Sequence, residues 1–376
     1  MSEEIQNEIK LPNESELLLS SSPHLHAKQD IRRIMLIVLL SLLPTTIAGI
    51  YFFGFDALKV IFYCVTFCVL LEMLWCKMAG KPLATVKDGS AALTGLLLAL
   101  NLSAAIPWWI CFIGAILAIW LGKQVFGGLG HNPFNPALVA RVGLLIGLPG
   151  YMTTWVPTTL MTQNPVTEYS KQFFSPTGLA DMAAGKLDAI TCATPLGIVG
   201  TTEKIVDSAN ATGAFMDVSS LAACWQYFIG NVGGCIGEVS ALALLIGGVI
   251  LVVTKLIKWQ VPVAYIGTVA LFTYLINTAW PGVTPMPLFH VLTGGLLIGA
   301  IFMATDMVTS PMTTLGAIIF GVGCGIITCV IRIWGNYPEG VSFSILFMNA
   351  LVPLIDRFAR TKPFGFKKLI AKGADA

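Results

Sequence analysis

The sequence predicts an all-α polytopic membrane protein, with about ten transmembrane helices arranged as two inverted five-helix repeats. Three observations lead there. Only 11% of the 376 residues are charged and 56% are hydrophobic, whereas soluble domains carry about 25% charged residues; the mean hydropathy is +0.80. The apolar runs are long and continuous rather than alternating, which suits bilayer-crossing helices of about 20 residues and not a β-barrel. One long polar insertion divides these runs into two sets of five. The same composition excludes a soluble globular domain, a disordered chain and a disulfide scaffold. A net charge of only +2 without a basic stripe argues against nucleic-acid binding.

Taken in order, residues 1–30 are polar and acidic and read as a cytoplasmic tail, because the Leu17–Leu19 cluster is too short for a signal-peptide core. The first repeat, 31–149, holds apolar segments at 33–53, 57–76, 89–106, 108–122 and 136–149. The last is short: Pro136 to Leu148 spans only about 20 Å as a helix, against about 30 Å of hydrocarbon, so it is expected to be broken or half-spanning. The stretch 150–225, rich in Thr, Ser, Asp and Pro, reads as a loop between the repeats. The second repeat, 226–358, holds segments at 236–254, 261–280, 287–305, 312–331 and 341–356. Residues 359–376 form a basic tail suited to anionic lipid headgroups. Aromatic residues such as Trp108, Trp155, Trp225, Trp280 and Trp334 flank the segments, as interfacial belts do. Nine cysteines include no C-x-x-C pair, and Cys64 and Cys68 read as small packing residues rather than ligands.

Orientation follows from basic residues, which favour the cytoplasmic side. With the N-terminus inside, the outer segments hold only Lys59, Lys171, Lys186, Lys204 and Arg332 of the 22 Lys and Arg. Both termini are therefore expected in the cytoplasm and the 150–225 loop outside. Three anchors recur in the same order in both halves. Thr94-Gly95-Leu96 resembles Thr293-Gly294-Gly295, Gly114-Ala115-Ile116 recurs as Gly316-Ala317-Ile318, and Asn135-Pro136-Ala137-Leu138-Val139 resembles Asn349-Ala350-Leu351-Val352. Five segments per half make the second copy inverted, an arrangement that places sites at the interface of the halves.

Four features carry chemistry. In the outer loop, Thr194 before Pro195 suits a helix N-cap and first turn. Its hydroxyl is a weak nucleophile with no obvious activator, so residue chemistry alone leaves a plain cap and a modification site both open. Asn132-Pro133-Phe134-Asn135-Pro136 reads as a second cap whose helix end could face a ligand, with His131, Asn132, Asn135 and Arg141 as candidate contacts to a flavin or ion; a rigid surface turn is the other reading. Glu72 lies within an apolar run, where an ionisable group usually faces a cavity or path. Asp306 is a second ion-path candidate, with interfacial solvation as its alternative; Asp88 and Glu238 read as interfacial.

Asp188, Thr191, Ala193 and Thr194 match, position by position, the flavin-attachment sequence D-x-x-[ST]-G-A-[ST], with Cys192 where Gly is usual. Further segments support a wider likeness: Ser22-Pro23-His24-Leu25-His26, the run Gly130 to Ala137, Gly237-Glu238-Val239-Ser240, and Phe302-Met303-Ala304-Thr305-Asp306 with Ser310-Pro311. Met307 stands where Pro is usual. Over residues 22–356 the chain resembles the D subunits of Rnf ion-translocating electron-transport complexes, and more distantly the B subunits of sodium-pumping NADH:quinone reductases. The resemblance implies covalent FMN, joined through its phosphate to Thr194 by a dedicated flavin transferase. It implies electron transfer between ferredoxin and NAD coupled to Na⁺ or H⁺ movement across a bacterial cytoplasmic membrane. It also implies partner subunits, membrane and peripheral, carrying flavin and iron–sulfur centres, and a second, non-covalent flavin such as riboflavin. No catalysis is expected from the isolated chain. Composition and topology alone fit a stand-alone inverted-repeat transporter or channel equally well.

Overall fold

The structure, a computed structural model, describes residues 30–156, 158, 194–197, 220–230, 232–280, 284–335 and 339–359. Asp188, Thr191, Ala193, both tails and most of the 150–225 insertion lie outside the described residues. Among those described, the regular structure is helical throughout. In the first half α1 spans Ile31–Phe53, α2 Phe55–Met78, α3 Ser90–Leu100, α4 Trp108–Ile116 and α5 Pro136–Gly147. A short helix, α6 (Leu221–Ile229), leads into the second half: α7 Ala241–Val253, α8 Gln260–Ala279, α9 Pro287–Leu292, α10 Thr314–Trp334 and α11 Val341–Phe358. All ten expected apolar segments are thus helical, but they differ in length. Helices α1, α2, α8, α10 and α11 are long and apolar enough to cross a membrane. The others are short or broken.

The expected 236–254 segment begins at Ala241. The Ile236 and Gly237 N–H groups are drawn away to donate to the Leu102 and Leu100 carbonyls, at 3.0 and 2.7 Å. These oxygens lie at the C-terminal end of α3, where helix carbonyls lack partners of their own. Helix α7 then starts on a Ser240 cap. The 287–305 segment breaks after α9 at Gly294 and Gly295, whose φ values of 73° and 67° are left-handed, a conformation L-residues with a Cβ adopt only at a cost. Gly294 is required sterically as well, since a Cβ there would overlap Leu196 Cδ1. The chain resumes as a turn at Leu296–Ile298 that widens into a π-helix, Gly299–Met303. Helix α4 likewise runs on into a π-helix, Leu117–Gln124.

One apolar core runs through both halves. Helices α1 and α7 meet across their boundary so closely that a Cβ on Gly247 would overlap the Ser41 carbonyl oxygen. In the first half α2 packs on α3 and α4; in the second α8 packs along α10, and α10 on α11. Eight cysteines, including Cys64 and Cys68, are buried in this packing, as the apolar reading expects. The last of the recurring anchors does not share local structure: Asn135 caps α5, whereas Asn349 is buried within α11.

Candidate functional site

Two cavities, one toward each end of the bundle, take in Thr194, Asn132, Asn135 and Asp306 of the residues singled out from the sequence. The first surrounds Thr194. Its Oγ1 accepts the Gly197 N–H at 3.1 Å, so the expected Thr-Pro helix start is present, and Thr194 is buried. Leu196 seats this segment against the α9 break at Gly294. A small cavity of ≈ 20 Å³ is lined by Thr194, Tyr227 of α6, Glu238 and Thr293. Arg332 on α10 braces the break by donating to the carbonyls of His290, Thr293 and Gly294 at 2.7, 3.0 and 2.9 Å. The sequence places Arg332 in an outer loop; the structure buries its contacts instead.

Behind this cavity sits Arg141 on α5, buried. Its guanidinium donates to Asn101 Oδ1 and Glu339 Oε2 and approaches Cys235 Sγ at 3.5 Å. Glu238 Oε1 accepts the Cys235 N–H at 3.0 Å, and its other oxygen is buried without a partner. Cys235, Glu238 and Glu339 bring potential ligand atoms within 4.8 Å of one another. The guanidinium already supplies positive charge to two of the three, so the cluster reads as an ion-pair core rather than a cation site.

The second cavity lies at the end where α1 begins and holds ≈ 110 Å³. Its walls are apolar side chains of α1, α3 and α7, among them Met35, Leu97 and Leu251, with Phe302 from the second π-helix. Its polar groups are Ser90, Thr94, Lys123, Asn132, Asn135, Thr305 and Asp306. Asn135 caps α5 through the Ala137 N–H at 3.1 Å and donates from Nδ2 to the Met303 carbonyl at 3.3 Å. Asn132 Nδ2 donates to the Phe134 carbonyl, leaving Oδ1 buried without a partner. Buried polar atoms are nearly always satisfied, so this acceptor is open to a donor from water or from a ligand in the cavity. Asp306 lies in the connection between the second π-helix and α10; it accepts from the Val308 N–H and Thr309 hydroxyl, and burial pushes its carboxyl above the usual carboxylate range.

Of the candidate contacts at this cavity, Asn132 and Asn135 line it, whereas Arg141 belongs to the ion-pair core and His131 is exposed. The reason is helical geometry. Arg141 follows Asn135 by six positions, which at 3.6 residues per turn carries it about 9 Å along and turns it through about 240° to another face.

Glu72 on α2 is buried, and its partner is one that sequence reasoning misses. Lys123 Nζ donates to Glu72 Oε1 at 2.6 Å, with both side chains almost fully buried, and to Ser90 Oγ at 2.8 Å. Gln124 Nε2 donates to the same Glu72 oxygen at 3.0 Å. Adjacent Lys123 and Gln124 both reach one carboxylate because they end a π-helix, the wider i→i+5 turn often found at functional sites. By the charge count Lys123 is an inner-loop residue. The available signal is the pairing of one Glu inside an apolar run with one Lys at the edge of another.

Comparison with known proteins adds the following. A family model described as "NQR2, RnfD, RnfE family" matches residues 18–365. The chain is 41% identical over 361 residues to the D subunit of the Na(+)-translocating ferredoxin:NAD(+) oxidoreductase complex of Acetobacterium woodii, covering 95% of this chain and 98% of the relative. It is 40% identical over 352 residues to the D subunit of the proton-translocating ferredoxin:NAD(+) oxidoreductase complex of Clostridium ljungdahlii, covering 93% and 96%. It is 42% identical over 341 residues to the D subunit of the ion-translocating oxidoreductase complex of Stutzerimonas stutzeri, covering 90% and 93%.

Proposed function

We propose, from the premise that this chain belongs to the NQR2, RnfD, RnfE family, that it is the membrane flavoprotein subunit of a redox-driven Na⁺ or H⁺ pump. In this reading it relays electrons between ferredoxin and NAD inside a multisubunit complex, as the names of its relatives suggest. Its partners are the other membrane and peripheral subunits, with flavin and iron–sulfur centres, together with the transferase that loads FMN. It sits in the bacterial cytoplasmic membrane with both termini inside and Thr194 on the outer face.

The observation that carries this reading is the setting of Thr194. The hydroxyl tops a short turn held in the α9 break and borders a cavity. A phosphate joined there would remain near the membrane surface, where a negative charge is tolerated. Asn132 and Asn135 fit a second, non-covalent flavin. The unpartnered Asn132 Oδ1 suits an imide N–H, and apolar walls of α1, α3 and α7 suit a ring face. Flavins bound at these places would supply one- and two-electron redox chemistry, while the protein supplies position and electrostatics. On the protein side, Arg332 holds the α9 break rigid, Leu196 seats the Thr194 turn, and Asn135 ties α5 to the second π-helix.

The test is mass spectrometry of the peptide spanning Asp188 to Lys204, from protein matured alongside the flavin transferase. The expected result is an added FMN phosphoester on Thr194 and a denatured gel band that fluoresces under ultraviolet light. An unaltered mass and a colourless protein would overturn the reading and favour a stand-alone inverted-repeat transporter.

A further inference from the structure

We propose that Arg141 is a tethered cation that plugs a polar passage between the two cavities, so that the bundle holds back free monovalent cations such as Na⁺ along this route. The seal is a property of this chain alone; only its purpose rests on the pump reading, because a pump loses its gradient through any open path.

Both halves build the plug. Arg141 on α5 and Asn101 at the end of α3 come from the first half. Cys235, Glu238 and Glu339, in the connections before α7 and α11, come from the second. Inverted repeats place ion sites at such an interface. The Cys235 sulfur and one oxygen of each glutamate lie within 4.8 Å of one another, a spacing that suits one small cation. A guanidinium stands at this cluster instead. It donates to Glu339 Oε2 and Asn101 Oδ1 and lies 3.5 Å from Cys235 Sγ, which itself donates to the Asn101 carbonyl at 3.3 Å. Arginine stays charged inside proteins, and as part of the chain it cannot leave the site.

A line of polar contacts joins this cluster to both cavities. Toward Thr194, Glu238 Oε1 accepts the Cys235 N–H at 3.0 Å, and Glu238 lines that cavity. Toward Asn132, Asn101 Nδ2 donates to the Leu97 carbonyl at 2.6 Å and approaches Met303 Sδ at 3.8 Å. The Met303 carbonyl accepts from Asn135 Nδ2 at 3.3 Å, and Leu97 and Asn135 line the cavity. Helical order fails along this line. Helix α3 stops at Leu100, α7 starts only at Ala241, and the chain breaks at Gly294 and Gly295, where a Cβ on Gly295 would stand 3.2 Å from Glu238 Oε2. Non-helical backbone at membrane depth occurs where protein encloses it or where it lines a watery path. Two buried polar atoms here, Glu238 Oε2 and Ser103 Oγ, have no partner among the described residues, so the route is polar. A fixed arginine in such a route is a barrier to cations. Without it the two carboxylates remain, and their oxygens are the ligand type that hard cations take.

The test is passive flux through the purified complex in sealed vesicles of phosphatidylethanolamine and phosphatidylglycerol, without electron donor, under an imposed membrane potential. Trapped indicator dyes read Na⁺ and Cl⁻ entry. The wild type should be tight to both. Arg141→Gln keeps a donor for Asn101 but loses the charge. Its Na⁺ entry should rise at least about tenfold, since unit charges at hydrogen-bond range interact strongly in a poorly screened interior, while Cl⁻ entry stays unchanged. Arg141→Lys should remain tight. The double variant Arg141→Met with Glu339→Gln strands no partner and should accumulate best; with one carboxylate fewer it should leak Na⁺ more than the wild type and less than Arg141→Gln. A second readout needs no flux. Arg141→Gln should melt at a higher temperature in Na⁺ than in choline at equal ionic strength, because a bound cation stabilises the folded state, whereas the wild type should not distinguish the two. A wild type that conducts Na⁺, neutral variants as tight as the wild type, or a Cl⁻ leak matching the Na⁺ leak would overturn the seal. Covalent flavin on Thr194 is scored on the same preparations; its absence would overturn the pump reading and leave the flux result standing.

Discussion

Replacing Arg141 by Met should be among the most damaging single changes in the first half. The guanidinium donates to Glu339 and Asn101 and approaches Cys235, and its side chain is 6% exposed against 14% for Glu339. Removing one partner of a buried ion pair costs about 3–5 kcal/mol, because the other charge is stranded. The slight exposure of Glu339 places this pair at the lower end of that range. Asn101 is also buried, and an orphaned acceptor adds about 1–3 kcal/mol. The two losses share one network and do not add fully, so a total of about 4 kcal/mol is expected. Neutralising the partner as well, by Arg141→Met with Glu339→Gln, should recover at least about half of it, because no charge is then left unpaired. The assay is reversible unfolding in mixed micelles, comparing the wild type, both single variants and the double. A single Arg141→Met that costs less than about 1 kcal/mol, or a double variant no more stable than the single, would refute the ion-pair reasoning.

Other predictions follow from specific contacts. Gly294→Ala should cost about 1–2 kcal/mol for the left-handed backbone alone and should push Leu196 out of its seat; reduced flavin fluorescence at Thr194 in a denatured gel checks it. Gly247→Leu should separate α1 from α7, because even a Cβ overlaps the Ser41 carbonyl, and the variant should fail to accumulate in membranes. Tyr265→Phe should be mild, about 0.6 kcal/mol on the scale of hydrogen bonds within membrane proteins. The Tyr265 hydroxyl bonds Thr328 and Ser344 at 2.6 and 2.9 Å, but those two also bond each other at 2.8 Å. Its micellar unfolding should be nearly that of the wild type, and a loss above about 2 kcal/mol would refute the account.

Helix positions are legible in the sequence because apolar runs of the right length have few alternatives in a chain so poor in charge. Caps at Asn135 and Thr194 are readable on similar grounds, since the side-chain oxygen and the following residues act locally, whereas the Ser240 cap falls inside the expected 236–254 segment. Interruptions are less so. The Gly294-Gly295 pair hints at a break, but the need for glycine arises from Leu196, almost a hundred positions earlier. Arg141 stands out as a candidate, yet its place in the chain suggests the Asn135 cavity, whereas it lies in the ion-pair core. Its partner there, Glu339, is 198 residues away, and no local pattern encodes such a pairing. Lys123 is hidden for a different reason. At the edge of an apolar segment a lysine reads as a loop charge, and only the π-helix turns it inward to Glu72.

The packing of sulfur has a practical consequence. The eight described cysteines are all enclosed in the bundle, so maleimide and spin-label reagents should find little native background there. A reporter thiol introduced at an exposed position such as Met312 or Trp280 would therefore give a clean distance probe, once Cys192, outside the described residues, has been exchanged for serine. Conformational change during turnover then becomes measurable without stripping the native thiols from the bundle.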